Sequence, residues 1–508
     1  MDRRHAAPAA SRPRRCGREV GEGGGGTRTG RERRGGRGSR GPRSRSRGRP
    51  RPGYWAYPSY PDPPLPRDRP PSPAPPRAQA EDAASPGGAA EEASWIRGDD
   101  DVEGFVGEGS SIWEELLATD ARISSRASSA TDAGMLKRKG RLKEQDNLIE
   151  FIQGMNGTHT PVETMAKMDR WVEEHRRDPA RSQLRRLCPF VGDFHTPLCL
   201  TEALEEYDAF FQLSRRKYVP PNFAEIRHVL NIAQVHGIAD RVRLVTFDAD
   251  GTIYQDGHHI EQDNTMIDEI VSLMMSGVDV AIVTAAGYPG EPKRFEQRVQ
   301  GLLDTFKKMR LGRDVTRRFH IMGGECNYLL NVTPAYGLEF VPDAEWKSGP
   351  MLEWSDRDIA ALLDEGQRVL EATAEKLGVP VMVLRKERAV GVVPTGPTIY
   401  EVLEEMAITV QVELGGNPDL RVPFCAFNGG NDVFVDVGSK SFGLDALMRY
   451  VGSTSAGTLH VGDRFTMSGN DAATRDVCSI LWVACPEETA WFIRVLLEDL
   501  RKTRRDAR

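Results

Sequence analysis

The segment 244–254, with the sequence LVTFDADGTIY, constrains the fold more than any other, because an apolar β-prone run ends abruptly in two carboxylates and a glycine. It predicts a buried strand that delivers Asp248 and Asp250 to the edge of a sheet. Side chains two residues apart in an extended chain lie on one face, and Gly251 permits a sharp turn directly after them. Two like charges so close together are costly without a cation. Mg²⁺, which prefers oxygen ligands, is the ion that we expect there.

Two neighbouring carboxylates suit phosphoryl transfer. One of them attacks a phosphorus atom, and the second handles the proton of the leaving oxygen. The alternative interpretation of an isolated Asp-x-Asp sequence is a solvated acidic turn at the end of a strand. Later segments of the chain decide between the two.

Three later segments supply groups that fit the same chemistry. The run 278–287, VDVAIVTAAG, predicts a second buried strand that ends at Thr284, which emerges at the same sheet edge as Asp248 if the strands are parallel. Lys440 opens a helix after a strand at 431–437, where it can neutralise a phosphate. Asp463 and Asp471 arrive on a glycine-bearing loop after a further strand and complete an oxygen-rich metal site with Asp248 and the backbone carbonyl of Asp250. Taken alone, Thr284 is as well explained by a turn cap and Lys440 by a solvated side chain.

Composition separates the front of the 508-residue chain from its body. Residues 1–53 contain 17 arginines, no lysine and four acidic residues, whereas the whole chain has a net charge of −6. We predict that this front is disordered, because it has little apolar surface to bury. A solvated extension, an RNA-binding segment and an organelle transit peptide remain open for it. The body has no apolar run long enough to span a membrane, and its scattered cysteines, without a Cys-x-x-Cys pair, favour a reduced cytoplasmic protein.

The pattern of apolar residues predicts an α/β fold with several parts. We expect a Rossmann-like core with a parallel sheet, interrupted by an inserted α+β cap domain and preceded by a helical domain. The predicted boundaries are a disordered extension at 1–94, a helical domain at 95–240, a first part of the core at 241–299, the cap at 300–425 and a second part of the core at 426–508.

The order of these motifs resembles the haloacid dehalogenase superfamily of phosphohydrolases. Asp-x-Asp-x-Thr, a strand-end threonine, a lysine at a helix start and a Gly-Asp loop ending in Gly-Asn-Asp follow one another in that order. Three segments, VPPNFAEIRH at 219–228, VTAAGYPG at 283–290 and DVGSK at 436–440, are similar to the fungal and apicomplexan IMP-specific 5′-nucleotidases. The resemblance spans roughly residues 110–505.

The resemblance implies a role for each matching residue. It implies hydrolysis of IMP to inosine and phosphate, a purine-salvage reaction, with Asp248 as the nucleophile and Asp250 as the acid and then the base. It also implies a homo-oligomer, a tetramer in the family, and regulation by ATP through the helical domain. The remaining expected roles are substrate binding by Asp256, Thr284, Arg298 and Lys440, Mg²⁺ binding by Asp248, Asp250, Asp463 and Asp471, and effector contact by His228.

Two other readings of the chain remain open. The first is that the chain is another phosphatase or a phosphosugar mutase of the superfamily, because the sequence of the Gly-Asp loop is similar in those proteins. A catalytically inactive binding protein would have lost an essential carboxylate, and none of the expected carboxylates is missing.

Overall fold

The computed structural model describes residues 145–189, 191–255 and 257–506. The expectations for the front of the chain and for Asp256 therefore lie outside the described residues. Among the described helices, none has the length and apolar character needed to cross a bilayer.

The described part of the N-terminal region is helical, as the sequence predicts. Two of these helices begin with a capping box, which Thr160 forms with Glu163 and Asn222 forms with Glu225. Asn222 directly follows Pro220 and Pro221 in the sequence. The helices are α1 (Asn147–Asn156), α2 (Pro161–Arg177), α3 (Gln183–Leu187), α4 (Leu200–Phe211) and α5 (Phe223–Ile238), with a 3₁₀ turn at Leu213–Arg215.

A seven-stranded sheet forms the centre of the described chain. Its order is β11-β10-β1-β2-β3-β4-β5. The first five of these strands are parallel to one another, and β4 pairs antiparallel with both β3 and β5. The predicted parallel core is thereby confirmed. The strands are β1 (Leu244–Phe247), β2 (Asp279–Thr284), β3 (Phe319–Gly323), β4 (Tyr328–Val332), β5 (Leu338–Phe340), β10 (Thr458–Gly462) and β11 (Ser479–Trp482).

Helices cover both faces of this sheet. Those between β1 and β5 are α6 (Met266–Met275), α7 (Pro292–Arg298), α8 (Gln300–Met309) and α9 (Arg313–Thr316). Those that follow β5 and belong to the same body are α10 (Asp343–Trp346), α11 (Gly349–Leu352), α14 (Lys440–Val451) and α15 (Pro486–Asp506), with 3₁₀ turns at Ser455–Gly457 and Ala472–Asp476.

The N-terminal helices and one face of the sheet share a single hydrophobic core. Side chains of α1, α2, α4 and α5 belong to the same buried cluster as Val245 and Phe247 of β1, whereas Leu244 faces a second cluster with α14. The described helices of this region therefore share the core of the sheet, although we predicted a separate domain at 95–240. Of these helices, α5 packs against β11, α1 and α4 pack on α5, and α2 packs on α4.

A second, four-stranded antiparallel sheet forms the insert. Its order is β6-β7-β9-β8, and two long helices pack on one of its faces around a core of their own. The elements are α12 (Asp356–Leu377), β6 (Val381–Arg385), β7 (Ala389–Pro394), α13 (Tyr400–Gly415), β8 (Phe424–Asn428) and β9 (Val433–Val437).

The sheet pairing differs from the predicted division at 300–425. The strands β3 and β5, which we expected in the cap, belong to the large sheet, and β9, which we expected in the core, belongs to the small one. The reason is that β9 forms its backbone hydrogen bonds with β7 and β8 and with no strand of the large sheet. We therefore propose that the cap is better delimited as residues 355–438.

Candidate active site

The strand β1 ends at the point where the sheet reverses its order. The next strand along the chain, β2, lies on one side of β1, and β10 lies on the other. In open α/β sheets, the crevice at such a reversal is where ligands bind. Asp248 follows β1 directly and is buried, whereas Asp250 is partly exposed. Gly251 has a φ of +76°, so the turn after the aspartates adopts a conformation that favours glycine.

The register of the strands places Thr284 and Asp463 level with the chain between Asp248 and Asp250. Phe247 is level with Ile282 of β2 and with Val461 of β10. Two residues further on, Thr284 and Asp463 thus flank position 249, which separates the two aspartates.

Three buried carboxylates meet at this edge. One oxygen from each of Asp248, Asp463 and Asp471 lies within 4.8 Å of the others. Asp250 is outside this group, because its carboxylate accepts from the backbone amide of Gly257 at 3.1 Å and lies 3.3 Å from Nη1 of Arg298. Buried carboxylate oxygens are the ligands that a hard divalent cation prefers. The donor set therefore fits such a cation.

Lys440, the first residue of α14, joins two of these carboxylates. Its Nζ lies 2.7 Å from Oδ1 of Asp248 and 2.6 Å from Oδ1 of Asp471, and the side chain is fully buried. Burial acts to lower the pKa of Lys440, but the two carboxylates outweigh it and raise the pKa above its ordinary value. The lysine is therefore held in its charged form.

The negative charge of the cluster exceeds the positive charge beside it. Burial raises the pKa of Asp248 well above its usual range; Lys440 offsets this in part, and Asp471 and Asp463 add to it. For Asp471, burial acts in the same direction, but Lys440 and His460 hold its pKa well below the usual range. Among the described residues, the three carboxylates face only the ammonium of Lys440 and the guanidinium of Arg464, whose Nε lies 3.7 Å from Oδ1 of Asp463. A divalent cation would relieve the remaining negative charge.

His460 and Glu325 belong to this site, and the sequence analysis missed both. His460 of β10 donates through Nε2 to Asp471 at 2.9 Å and accepts at Nδ1 from the hydroxyl of Thr246 at 2.8 Å. Burial lowers its pKa and keeps it neutral. Glu325 is fully buried two residues after β3 and accepts from Asn470. His460 could have been predicted as a site residue, because it is a polar residue inside the otherwise apolar run of β10. No feature of the sequence around Glu325 indicates its place in the site.

Arg298 lies beside the second aspartate. Besides its contact with Asp250, its Nη1 donates to the hydroxyl of Tyr254 at 3.0 Å and its Nε donates to the hydroxyl of Tyr288 at 3.1 Å. Thr284 is buried, and its hydroxyl accepts from the amide of Ala286 at 3.1 Å. The structure thus brings Thr284, Arg298, Lys440 and the four aspartates to one edge.

The structure places His228 elsewhere. It is fully buried in α5, where Nε2 lies 3.2 Å from Oε1 of Glu488 and Nδ1 lies 3.3 Å from the hydroxyl of Tyr207. Arg227 contacts the same glutamate at 2.6 Å. The histidine is thus part of a polar network that joins α5 to α15 inside the core, and it has no exposed surface.

One face of the small sheet is turned toward this edge. Phe427 and Phe434 stack with ring centroids 6.5 Å apart, and together with Ala389 they contact Ala285, the residue after Thr284. An apolar, aromatic wall therefore stands directly beside the strand end that carries Thr284.

Comparison with known proteins gives a consistent result. Residues 116–493 match the family model of IMP-specific 5′-nucleotidase. The chain is 41% identical over 345 residues to IMP-specific 5′-nucleotidase 1 of Aspergillus fumigatus, covering 66% of this chain and 76% of that protein. The Plasmodium falciparum relative of the same name is 33% identical over 370 residues, covering 68% and 82%.

Solved structures agree with these relatives. The IMP-bound, N-terminally truncated Plasmodium falciparum IMP-nucleotidase superposes with a TM-score of 0.66 at 33% identity, covering 70% of this chain and 97% of that one. The ATP-bound form of the Plasmodium falciparum enzyme gives a TM-score of 0.65 at 31% identity, covering 74% and 92%.

Proposed function

The chain belongs to the family of IMP-specific 5′-nucleotidases, and we propose that it hydrolyses IMP to inosine and inorganic phosphate. The observation that carries this proposal is the buried group of Asp248, Asp463, Asp471 and Lys440 at the reversal point of the sheet. It offers a nucleophile, a cation site and a fixed positive charge within one crevice. These are the elements that cleavage of a phosphate monoester requires.

We assign the nucleophile to Asp248 because it is the carboxylate that β1 delivers directly to the crevice. Its oxygen attacks the phosphorus of IMP, the bond from phosphorus to the 5′ oxygen breaks, and an aspartyl-phosphate forms. Asp250 donates a proton to the leaving 5′ oxygen. It then takes a proton from the water that attacks the aspartyl-phosphate, which releases phosphate and restores Asp248.

Mg²⁺ is the cation that we propose for the site. The carboxylates of Asp248, Asp463 and Asp471 would hold it, and the backbone of Asp250 would contribute as well. When bound, it would offset the charge of the substrate phosphate and of the phosphoryl oxygens in the transition state.

The remaining groups bind and orient the phosphate. Thr284 and Lys440 are proposed to hold the phosphoryl oxygens, since Thr284 ends the strand that pairs with β1 and the charged Lys440 lies 2.7 Å from Asp248. Arg298 contacts Asp250 directly, so we propose that it orients this acid as well as attracting the phosphate. A role for Asp256 in substrate binding stays a prediction.

Regulation and assembly are proposals drawn from the family. We propose ATP as an effector, since a Plasmodium falciparum relative was solved with ATP bound. Because His228 is buried, its replacement would act on such a response through Glu488 rather than by loss of a direct contact. A homo-tetrameric, cytoplasmic enzyme stays a prediction.

A substrate series tests the proposed function. With Mg²⁺ at saturation, kcat/KM for IMP should exceed that for AMP by about a hundredfold, because mismatched donors and acceptors leave buried polar groups unpaired. GMP and p-nitrophenyl phosphate should also be poor substrates, the latter because it lacks the nucleoside. Equal efficiencies across the four compounds would leave a phosphatase and remove the IMP assignment. Transfer of phosphate to a sugar in place of water would favour the mutase alternative.

A further inference from the structure

Glu325 lies in an unusual backbone conformation beside the phosphate site and takes no part in the proposed chemistry. Its φ is +62°, and it follows Gly324, whose φ is +57°. The left-handed region is unfavourable for a residue with a Cβ atom, and such residues cluster at functional sites where the surroundings hold them in place. The contacts of Glu325 show what holds it.

Its backbone joins two of the segments that build the site. The amide of Glu325 donates to the carbonyl oxygen of Thr284 at 3.0 Å, at the end of β2. On the other side, its carbonyl oxygen lies so close to α14 that a Cβ on Gly443 would come within 2.6 Å of it. The turn at Glu325 therefore packs between the end of β2, which carries Thr284, and helix α14, which begins at Lys440.

Its side chain reaches the third segment. Oε1 accepts from Nδ2 of Asn470 at 2.8 Å, and Asn470 directly precedes Asp471. Burial raises the pKa of Glu325 to about 7, while Lys440 and Asn470 act in the opposite direction. Glu325 thus connects the loop of Asp471, through its buried carboxyl group, with α14, through its backbone carbonyl.

We propose that Glu325 is a positioning residue, which holds Thr284, Lys440 and the Asp471 loop in register so that they bind the phosphoryl group together. The inference rests on the proposed function, because it concerns the geometry of that phosphate site. Glu325 itself does not touch the substrate. Its loss should therefore weaken binding of the phosphate and of the transition state without removing any reacting group.

The Glu325→Met variant tests this proposal, because methionine has a similar length but cannot accept the hydrogen bond from Asn470. We expect kcat/KM for IMP to fall by at least about tenfold, and the inhibition constant of inorganic phosphate to rise by a similar factor, since the contact that holds the Asp471 loop is lost and Nδ2 of Asn470 loses its partner. The matched control is Glu269→Met, at another buried carboxylate, which pairs with Arg494 at 2.8 Å away from the site. The control should keep kcat/KM and the phosphate inhibition constant within about twofold, whatever its melting temperature.

Each outcome has a distinct meaning. If Glu325→Met retains kcat/KM and the phosphate inhibition constant within twofold of the wild type, the positioning role is wrong and the proposed function stands. If the wild type itself fails to hydrolyse IMP, the proposed function is wrong. Should Glu325→Met fail to fold, Asn470→Ala removes the same contact from the other side. An unchanged phosphate inhibition constant in that variant would equally overturn the proposal.

Discussion

At the scale of single residues, charge balance decides what the site can do. Lys440 contacts both Asp248 and Asp471 and is fully buried, so neither the ammonium nor the carboxylates can be stabilised by water. Removing one member of a buried ion pair leaves the other charge uncompensated, which is far more costly than losing a surface pair. We therefore expect the lysine to contribute to folding as well as to the proposed binding of phosphate.

Replacement of Lys440 by Met should show both contributions. We expect kcat/KM for IMP to fall by about 100- to 1000-fold, because a preorganised charge at the phosphoryl oxygens is lost. The free energy of unfolding without divalent cation should fall by about 3 kcal/mol, and Mg²⁺ should recover part of it. Steady-state kinetics and urea unfolding with and without Mg²⁺ measure these effects.

Lys293→Met provides the control, because this lysine is exposed and pairs only with Glu296 in the described structure. Its kinetics and stability should stay near those of the wild type. A Lys440→Met enzyme with wild-type kinetics would show that the lysine does not hold the phosphate.

The residue scale also shows how far sequence reasoning reaches. Asp248, Thr284, Lys440 and Asp471 were predictable because each follows a strand or opens a helix in a recognisable motif, and strand ends meet at one edge. Glu325 was not predictable, because its role depends on contacts with residues about 40 and 145 positions away in the sequence. His228 was placed on the right helix, but its burial depends on how α5 packs against α15.

At the scale of elements, strand existence was easier to predict than strand partners. The segment of β9 was predicted as a strand, but its alternating apolar residues do not specify which sheet it joins. Its odd-numbered residues, Val433, Val435 and Val437, enter the core of the insert. Phe434, on the opposite face, belongs to the aromatic wall that contacts Ala285. The strand thus links the core of the insert to the end of β2, which carries Thr284.

Phe434→Ala tests whether this wall receives the nucleoside. Because stacking of a base on an aromatic ring is worth about 1–3 kcal/mol, KM for IMP should rise by about tenfold or more. The kcat/KM for p-nitrophenyl phosphate, which lacks a purine, should stay within about threefold. Phe424→Ala is the matched control, since Phe424 packs against the core of the insert on the other face. If both substrates or both variants lose activity equally, the wall has only a structural role.

At the scale of the whole described chain, polar contacts as well as apolar ones join the N-terminal helices to the core. His236 at the end of α5 contacts Asp499 of α15 through Nδ1 and lies 2.8 Å from Glu206 of α4 through Nε2. Burial acts to lower the pKa of His236, but the hydrogen bonds that it donates to these carboxylates outweigh burial and raise the pKa to about 9. The histidine is therefore charged at neutral pH.

This contact gives the stability a defined pH dependence. The folded-state pKa lies above the unfolded value of about 6.5, so the stabilisation is complete below pH 6.5 and is lost as the pH rises through 9. The wild type should be more stable than His236→Gln by about 1–2 kcal/mol near pH 6, after allowance for solvent screening, and the difference should disappear by about pH 10. Urea unfolding of both proteins from pH 6 to 10 measures it. A difference that does not change with pH would contradict the assignment.

The central claim is that Asp248 attacks the phosphorus of IMP, and reductive trapping tests it most directly. Borohydride added during turnover converts an aspartyl-phosphate to homoserine, which peptide mass spectrometry locates in the sequence. If Asp248 is the nucleophile, homoserine forms at position 248 only when IMP and Mg²⁺ are both present, and none forms in Asp248→Asn. Homoserine at Asp250, Asp463 or Asp471, or active turnover without any trapped product, would contradict it.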